Sequence, residues 1–222
     1  MDGCLAPESY LRLKFPFSGQ LEIPIDVQSA HEMLYAGLSR ICPLIHENDC
    51  SIRISPIRGL LFQNERNLYL SPRSHFFIQL PMHQLPQVLQ IAGKFFRLGA
   101  NRYRLGIPQI FALQPSCSLA ARFVTARGKL ETEEMFQHIK SVFQESLKAQ
   151  EGKDYILHIR RRRVIRIKGK NVVGFGVLLT DIRSEQLSLQ IQAAPPLGRG
   201  KYGAAFFELA NESLEPVSKG DQ

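Results

Sequence analysis

The chain has 222 residues, with 28 Lys and Arg against 20 Asp and Glu, a formal net charge of +8 and a pI near 9.5. That length suits one large domain or two of about 100 residues each, the 44% hydrophobic and 9% aromatic content supports a packed core, and the basic balance points to nucleic acid or an anionic surface. No apolar run approaches the ~18 residues of a membrane span, the N-terminus lacks the basic flank and apolar centre of a secretory signal, and no Walker loop, dinucleotide fingerprint or zinc spacing is present.

In chain order, Leu11, Leu13 and Phe15 alternate with Arg12 and Lys14, a strand expected to end near Pro16. A helix follows. Ser29 and Glu32 have capping-box spacing, with Asp26 as a competing cap. Ala30, Leu34, Leu38 and Ile41 form its apolar face, and Pro43 stops it. Cys50, Ile52 and Ile54 alternate as a second strand. Asn67 to Leu70 and His75 to Leu80 read as further strand, broken at Ser71-Pro72. Pro86 to Ala92 is a short helix closed by Gly93. Phe95 to Leu98 and Tyr103 to Leu105 form a hairpin around Gly99-Ala100-Asn101.

Ile107 to Ala126 is extended, with a break expected at Pro115. Thr132 is the expected cap of a helix carrying Glu133 and Glu134 in its first turn, where the dipole favours acids. Met135, Ile139, Val142, Phe143 and Leu147 are its apolar stripe. Ser184 to Gln192 fits either a strand, by the alternation of Leu187, Leu189 and Ile191, or a helix, by its position in the order. Ala204 to Leu209 is a last strand, and the residues after Asn211 read as a frayed tail. Each half gives strand-helix-strand-strand-helix-strand. The expectation is an α+β chain of two tandem ferredoxin-like (RRM-like) domains with antiparallel sheets. The domains are expected at residues 1–106 and 107–210, with a tail over 211–222.

The charge is concentrated. Between Asp154 and Asp181 there is no acid and there are seven Arg and Lys, against a net charge of +8 for the whole chain. Arg160, Arg162, Arg166 and Lys168 share one strand face with Val164, over roughly 26 Å at about 3.3 Å per residue. Gly169-Lys170-Asn171 reads as the turn and Val172 to Leu179 as the returning strand. Such an arm can follow a polyphosphate backbone, with Arg163 and Lys170 adding to it. A solvated edge that resists aggregation is the alternative. Further on, Gly198, Gly200 and Gly203 permit positive φ and close backbone approach, and Arg199 and Lys201 add charge, so this loop could hold a phosphate or a flipped base. An ordinary tight connection is the alternative there.

Four stretches resemble the CRISPR-associated repeat endoribonucleases, which cut precursor CRISPR RNA within each repeat, and their short subtype in particular. They are Ile23-Pro24-Ile25-Asp26 leading into Leu34-Tyr35-Ala36-Gly37-Leu38-Ser39-Arg40, Ile45-His46-Glu47, Arg163 to Gly176, and the glycine loop through Phe206. The loop is shortened in its first half, and Ala205 stands where a glycine is common. The resemblance implies cleavage without a metal or cofactor. A ribose 2′-OH attacks the adjacent phosphate and leaves 2′,3′-cyclic phosphate and 5′-OH ends. It implies His46 as acid or base, Tyr35 as its helper and Arg53 as the nearest candidate cation.

These residue types suit the chemistry. Histidine titrates near working pH, and a guanidinium stabilises a developing phosphorane. His31 is a rival, in the first helical turn, where the dipole favours the neutral imidazole. Tyr35 shares its face one turn on. The resemblance also implies repeat RNA as partner, with other CRISPR effector subunits as further candidates, and no membrane. Cys4, Cys42, Cys50 and Cys117 have no C-x-x-C spacing and suit a reduced, cytoplasmic protein. A non-catalytic RNA-binding subunit of a CRISPR ribonucleoprotein is the alternative function. Val173-Gly174-Phe175-Gly176-Val177 partly matches the aromatic strand motif of RNA-recognition domains.

Overall fold

The structure is a computed structural model that describes residues 10–19, 22–23, 30–47, 51–64, 67–167, 169–198 and 200–210. The expected caps Asp26 and Ser29, Cys4, Cys50, Lys168, Arg199 and the tail lie outside the described residues. Those described fall into two compact units. One lies within Met1–Leu113 together with Val164–Val172 and Arg199–Gly203, the other within Gln114–Arg163, Val173–Gly198 and Ala204–Gln222.

The first unit contains β1 (Tyr10–Gly19), β2 (Glu22–Ile23), α1 (Ala30–Ile41), β3 (Arg53–Ile54), β4 (Arg58–Asn64), β5 (Asn67–Pro81), α2 (Leu85–Leu89), β6 (Phe95–Leu98), β7 (Asn101–Leu105) and β8 (Gln109–Ala112). Its sheet order is β2-β5-β1-β7-β6, with β3 and β4 also on β5 and β8 on β1. Taking β1, β4, β5 and β7 with the two helices gives the ferredoxin-like arrangement, to which the remaining strands are additions. Leu13, Phe15 and Phe17 of β1 pack with Leu34 and Leu38 of α1 and with Phe76, Ile78 and Phe96 in one core.

Two breaks expected from proline are absent. β1 continues through Pro16. Residues 11–14 pair with β8 and residues 17–19 with β7, so Pro16 sits between two partners, where a missing N–H costs least. Its carbonyl accepts from Gly106 N–H at 2.8 Å. β5 likewise runs through Pro72. Opposite it β4, a strand not expected from sequence, changes register between Arg58 and Leu60. The extra residues, 71–74, are on β5; Gly59 stands across from them at φ +67, and its carbonyl accepts from both Ser71 Oγ and Ser74 Oγ, at 2.5 and 2.8 Å. The second strand expected from Cys50 onward is shorter than the alternation suggests, with only Arg53–Ile54 paired as β3.

The second unit contains β9 (Leu119–Val124), α3 (Thr132–Leu147), α4 (Glu185–Ala193), β12 (Phe207–Leu209) and most of β10 (Ile156–Ile167) and β11 (Lys170–Thr180), whose shared tip, Val164–Val172, is grouped with the first unit. Its order, β10-β11-β9-β12, is that of a four-stranded ferredoxin-like sheet. Met135, Ile139 and Phe143 of α3 are fully buried. Thr132 is the first helical residue rather than the cap. The Glu134 carboxylate accepts the N–H groups of Leu130 and Glu131, at 3.0 and 3.4 Å, which lowers its pKa. The ambiguous 184–192 stretch is helical: Ser184 Oγ accepts from Leu187 N–H at 3.2 Å, and Leu187 and Ile191, four apart, are buried. Among the described residues, no helix is long and apolar enough to cross a membrane.

Candidate active site

α1 buries Ala30, Leu34, Gly37 and Leu38, so His31 and Tyr35, one turn apart, stand on a less buried face. After α1 the chain makes a 3₁₀ turn at Pro43–Ile45. Ile45 is fully buried, and His46 N–H donates to the Pro43 carbonyl at 2.7 Å. The buried isoleucine and the closed turn fix the backbone, and His46 comes out exposed beside the helix. Tyr35 Oη is 3.0 Å from His46 Nδ1. A phenol hydroxyl donates or accepts, so the pair supports either imidazole tautomer. With Nδ1–H donating to Tyr35, Nε2 of the neutral ring carries the lone pair of a base and Nε2–H of the imidazolium is an acid; with Tyr35 donating to Nδ1, the neutral ring offers Nε2–H only as a hydrogen-bond donor.

Residues 200–203 of the glycine loop belong to the same unit. Of these, Gly200–Tyr202 form a short 3₁₀ turn. The Tyr202 ring lies 4.7 Å from that of Tyr35, tilted by 46°. Lys201 Nζ donates to the Glu47 carbonyl. Gly203 has φ +77, and a Cβ there would lie 2.7 Å from His31 Nδ1. A Cβ at Gly200 would lie 2.5 Å from Arg53 Nη1 and 2.9 Å from its Cγ. The two glycines therefore admit the His31 ring and the Arg53 side chain against bare backbone. At Gly198, by contrast, an added Cβ meets nothing within 4 Å. Ala205 takes the left-handed conformation at φ 51, fully buried, with its N–H donating to the Phe123 carbonyl at 2.7 Å.

The loop thus touches three elements that carry predicted site residues: α1 with His31 and Tyr35, the turn that leads into His46, and β3 with Arg53. Arg53 is only 6% exposed and lies across from Gln79 of β5. Its charge sits under the loop rather than open to solvent. Tyr202 and the Glu47 carbonyl were not singled out from the sequence. An aromatic flanked by loop glycines was the available signal for Tyr202. Nothing local marked the carbonyl.

On β10, Arg160, Arg161, Arg162 and Arg163 are all exposed, as is Lys170 across the turn. Cations therefore line both faces of this arm, where the alternation placed them mainly on one. Arg166 lies in β10, with its side chain outside those described. Phe175 is fully buried, and Gly174 lies against the Phe123 ring, so this aromatic is core and offers no face to a base. Cys42 is buried and free, Cys117 exposed and free. Burial raises the Cys42 pKa. Among the described residues, no group of three or more His, Cys, Asp and Glu is arranged to hold a metal ion.

Residues 11–202 match the protein family described as Cas6 Crispr. The chain belongs to the Cas6 family. The resemblance read from the sequence is to this family. A curated member, the CRISPR-associated endonuclease Cas6 of Myxococcus xanthus (strain DK1622), is 31% identical over 198 residues, covering 89% of this chain and 80% of that protein. Among solved structures, one titled "CRISPR associated protein Cas6" has a TM-score of 0.60 at 10% identity, covering 90% of this chain and 98% of that one. Another, titled "Characterization of a Cas6-related gene from Pyrococcus furiosus", has a TM-score of 0.61 at 11% identity, covering 91% and 99%. These two share the fold of this Cas6 family member.

Proposed function

We propose that this member of the Cas6 family is a cytoplasmic endoribonuclease that cleaves precursor CRISPR RNA within its repeats, without a metal ion. The observation that carries the reading is the 3.0 Å contact between Tyr35 Oη and His46 Nδ1 on an exposed histidine. With Nδ1–H held by Tyr35, His46 Nε2 removes the proton of the 2′-OH upstream of the cut. The 2′-oxygen bonds to phosphorus, the bond from phosphorus to the 5′-oxygen breaks, and that oxygen takes up a proton. The products are a 2′,3′-cyclic phosphate and a 5′-OH. A positioned acid or base of this kind contributes about 10²–10⁴ in rate. His31, held beneath Gly203, is the second proton carrier. Arg53, under Gly200, supports the loop and adds positive potential to the phosphorane. Repeat RNA is held by the exposed arginines 160, 162 and 163 and by Lys170.

The experiment is single-turnover cleavage of a panel of repeat RNAs in EDTA, with a matched substrate carrying one 2′-deoxy nucleotide upstream of the cut. A single cut that survives the chelator, is blocked by the deoxy nucleotide and leaves a cyclic phosphate is expected. Loss of cutting in EDTA, or normal cutting of the deoxy substrate, sinks this chemistry.

A further inference from the structure

Between Glu65 and Glu131 the chain has no acid and nine Arg and Lys. Part of that charge is gathered on one face of the β6–β7 hairpin. Phe95 lies opposite Arg104, and Arg97 opposite Arg102. These four point to one side, because the alternating Phe96, Leu98, Tyr103 and Leu105 are all buried in the core on the other. All four are exposed, as is the adjoining Lys94. Phe95 keeps 48% of its surface. Arg102 Cζ sits 3.9 Å from the centre of its ring and Arg104 Cζ 6.0 Å. Arg104 Nε donates to the Gly93 carbonyl at 3.3 Å. Among the described residues, none of these four cations has a carboxylate partner.

Edge protection does not account for this face. β6 is the outer strand, yet Arg102 and Arg104 are on β7, one strand in. An exposed phenylalanine at an edge also invites association rather than blocking it. Unneutralised guanidiniums crowded around an aromatic ring cost the fold repulsion. They fit a ligand that brings both phosphates and flat faces. Single-stranded RNA does, whereas the bases of a duplex are stacked and closed to such a ring. We infer that the β6–β7 face is a second RNA contact, separate from the glycine loop and the β10 arm. It takes an unpaired nucleotide on Phe95 and its neighbouring phosphates on Arg97, Arg102 and Arg104. The choice of RNA as ligand rests on the Cas6 reading above.

The test is equilibrium binding of a labelled oligouridine that contains no repeat, measured against salt, for the wild type, Phe95→Leu and the triple variant Arg97→Ala/Arg102→Ala/Arg104→Ala. Phe95→Leu keeps the apolar bulk and removes the ring, so affinity should fall about tenfold. The triple variant should reduce the salt slope by about two, at about 0.7 per phosphate contact on a single strand. Should the triple variant melt early, Arg97→Gln alone carries the test, with a slope loss of about 0.7. Unchanged affinity and slope in well-folded variants overturn the inference. So does a triple variant that loses binding to anionic vesicles or an acidic peptide while oligouridine binding is retained. A wild type that binds oligouridine through this face and cuts no repeat sinks the nuclease reading alone. One that cuts repeats while these variants bind normally sinks this inference alone.

Discussion

The hydroxyl of Tyr35 lies 3.0 Å from Nδ1 of His46, and the ring of Tyr202 lies 4.7 Å from the ring of Tyr35. One tyrosine therefore joins the exposed histidine to the glycine loop. Tyr35→Phe removes the hydrogen bond and keeps the ring contact with Tyr202. Saturating single-turnover cleavage should fall about tenfold, since the histidine loses the hydrogen bond that orients its ring. Repeat affinity should stay close to wild type. If affinity falls and the cleavage step does not, Tyr35 serves RNA binding instead.

Gly203 and Gly198 make a paired test of the loop. Gly203→Ala forces a side chain into a φ of +77 and against the His31 ring, at a cost of about 1–2 kcal/mol for the backbone alone. The loop should lift from α1, and cleavage should fall with thermal stability little changed elsewhere. Gly198→Ala meets nothing within 4 Å and should stay within about twofold of wild type, as exposed substitutions do. Equal damage at both positions would mean the loop works through RNA contact along its length, not through its docking on His31.

The exposed arginines of β10 should act on binding and not on the cleavage step. Arg160→Ala, Arg162→Ala and Arg163→Ala should each weaken repeat binding and lower the salt slope by up to about one. Saturating cleavage should remain near wild type. A slope that survives all three together returns β10 to a solvated edge.

Tyr155 offers a prediction about stability. Its ring packs edge-on to Phe143 at 5.5 Å, and its buried hydroxyl has no hydrogen-bond partner among the described residues. Burial first, and then the charges of Glu151 and Asp154, push its pKa up to about 12. The folded state holds this proton more tightly than the unfolded chain, whose tyrosines titrate near 10. The contribution is therefore complete below about pH 10 and is lost as pH rises towards 12. Tyr155→Phe should lack this alkaline loss. It should also raise neutral-pH stability by about 1 kcal/mol by removing an unpaired polar group. Denaturant melts of both proteins across that range decide it, and a less stable phenylalanine variant would show that the hydroxyl has a partner.

How much of this was legible follows from where each cause lies in the chain. α1, α3 and the basic hairpin were readable because their signals are local: apolar spacing over a few turns, a run of arginines, Gly169 at the turn. β4 was not, because its pairing past Pro72 depends on Gly59 at φ +67 and on Ser71 and Ser74 bonding its carbonyl, a relation between two strands rather than within one. Phe175 read as an RNA-facing aromatic until Gly174 and Phe123 packed it inward. The family motif drew attention to Tyr35, His46 and Arg53. That Gly200 lies on Arg53 and that Gly203 lies on His31 are relations across 147 and 172 residues of chain, which no local pattern carries. Nor did any local pattern distinguish Lys201 as a loop anchor on the Glu47 carbonyl from a phosphate contact.

The two histidines occupy different positions, and the difference separates their roles. His46 is exposed and has its Nδ1 engaged by Tyr35, so Nε2 is the atom presented to a substrate. His31 lies in the first turn of α1, half-buried, with Gly203 against its ring. His46→Ala should leave repeat affinity nearly unchanged, because one neutral imidazole contributes little binding. It should lower saturating single-turnover cleavage by about 10²–10⁴. His31→Ala should cost about tenfold if it only assists the second proton transfer. Arg53→Ala should slow cleavage without abolishing it. A dead His31 variant beside an active His46 variant would move the base to the start of α1. A wild type that binds repeat RNA tightly and never cuts any repeat would make the chain a non-catalytic RNA-binding subunit, and the Tyr35–His46 pair would then be a remnant of the fold rather than a reactive centre.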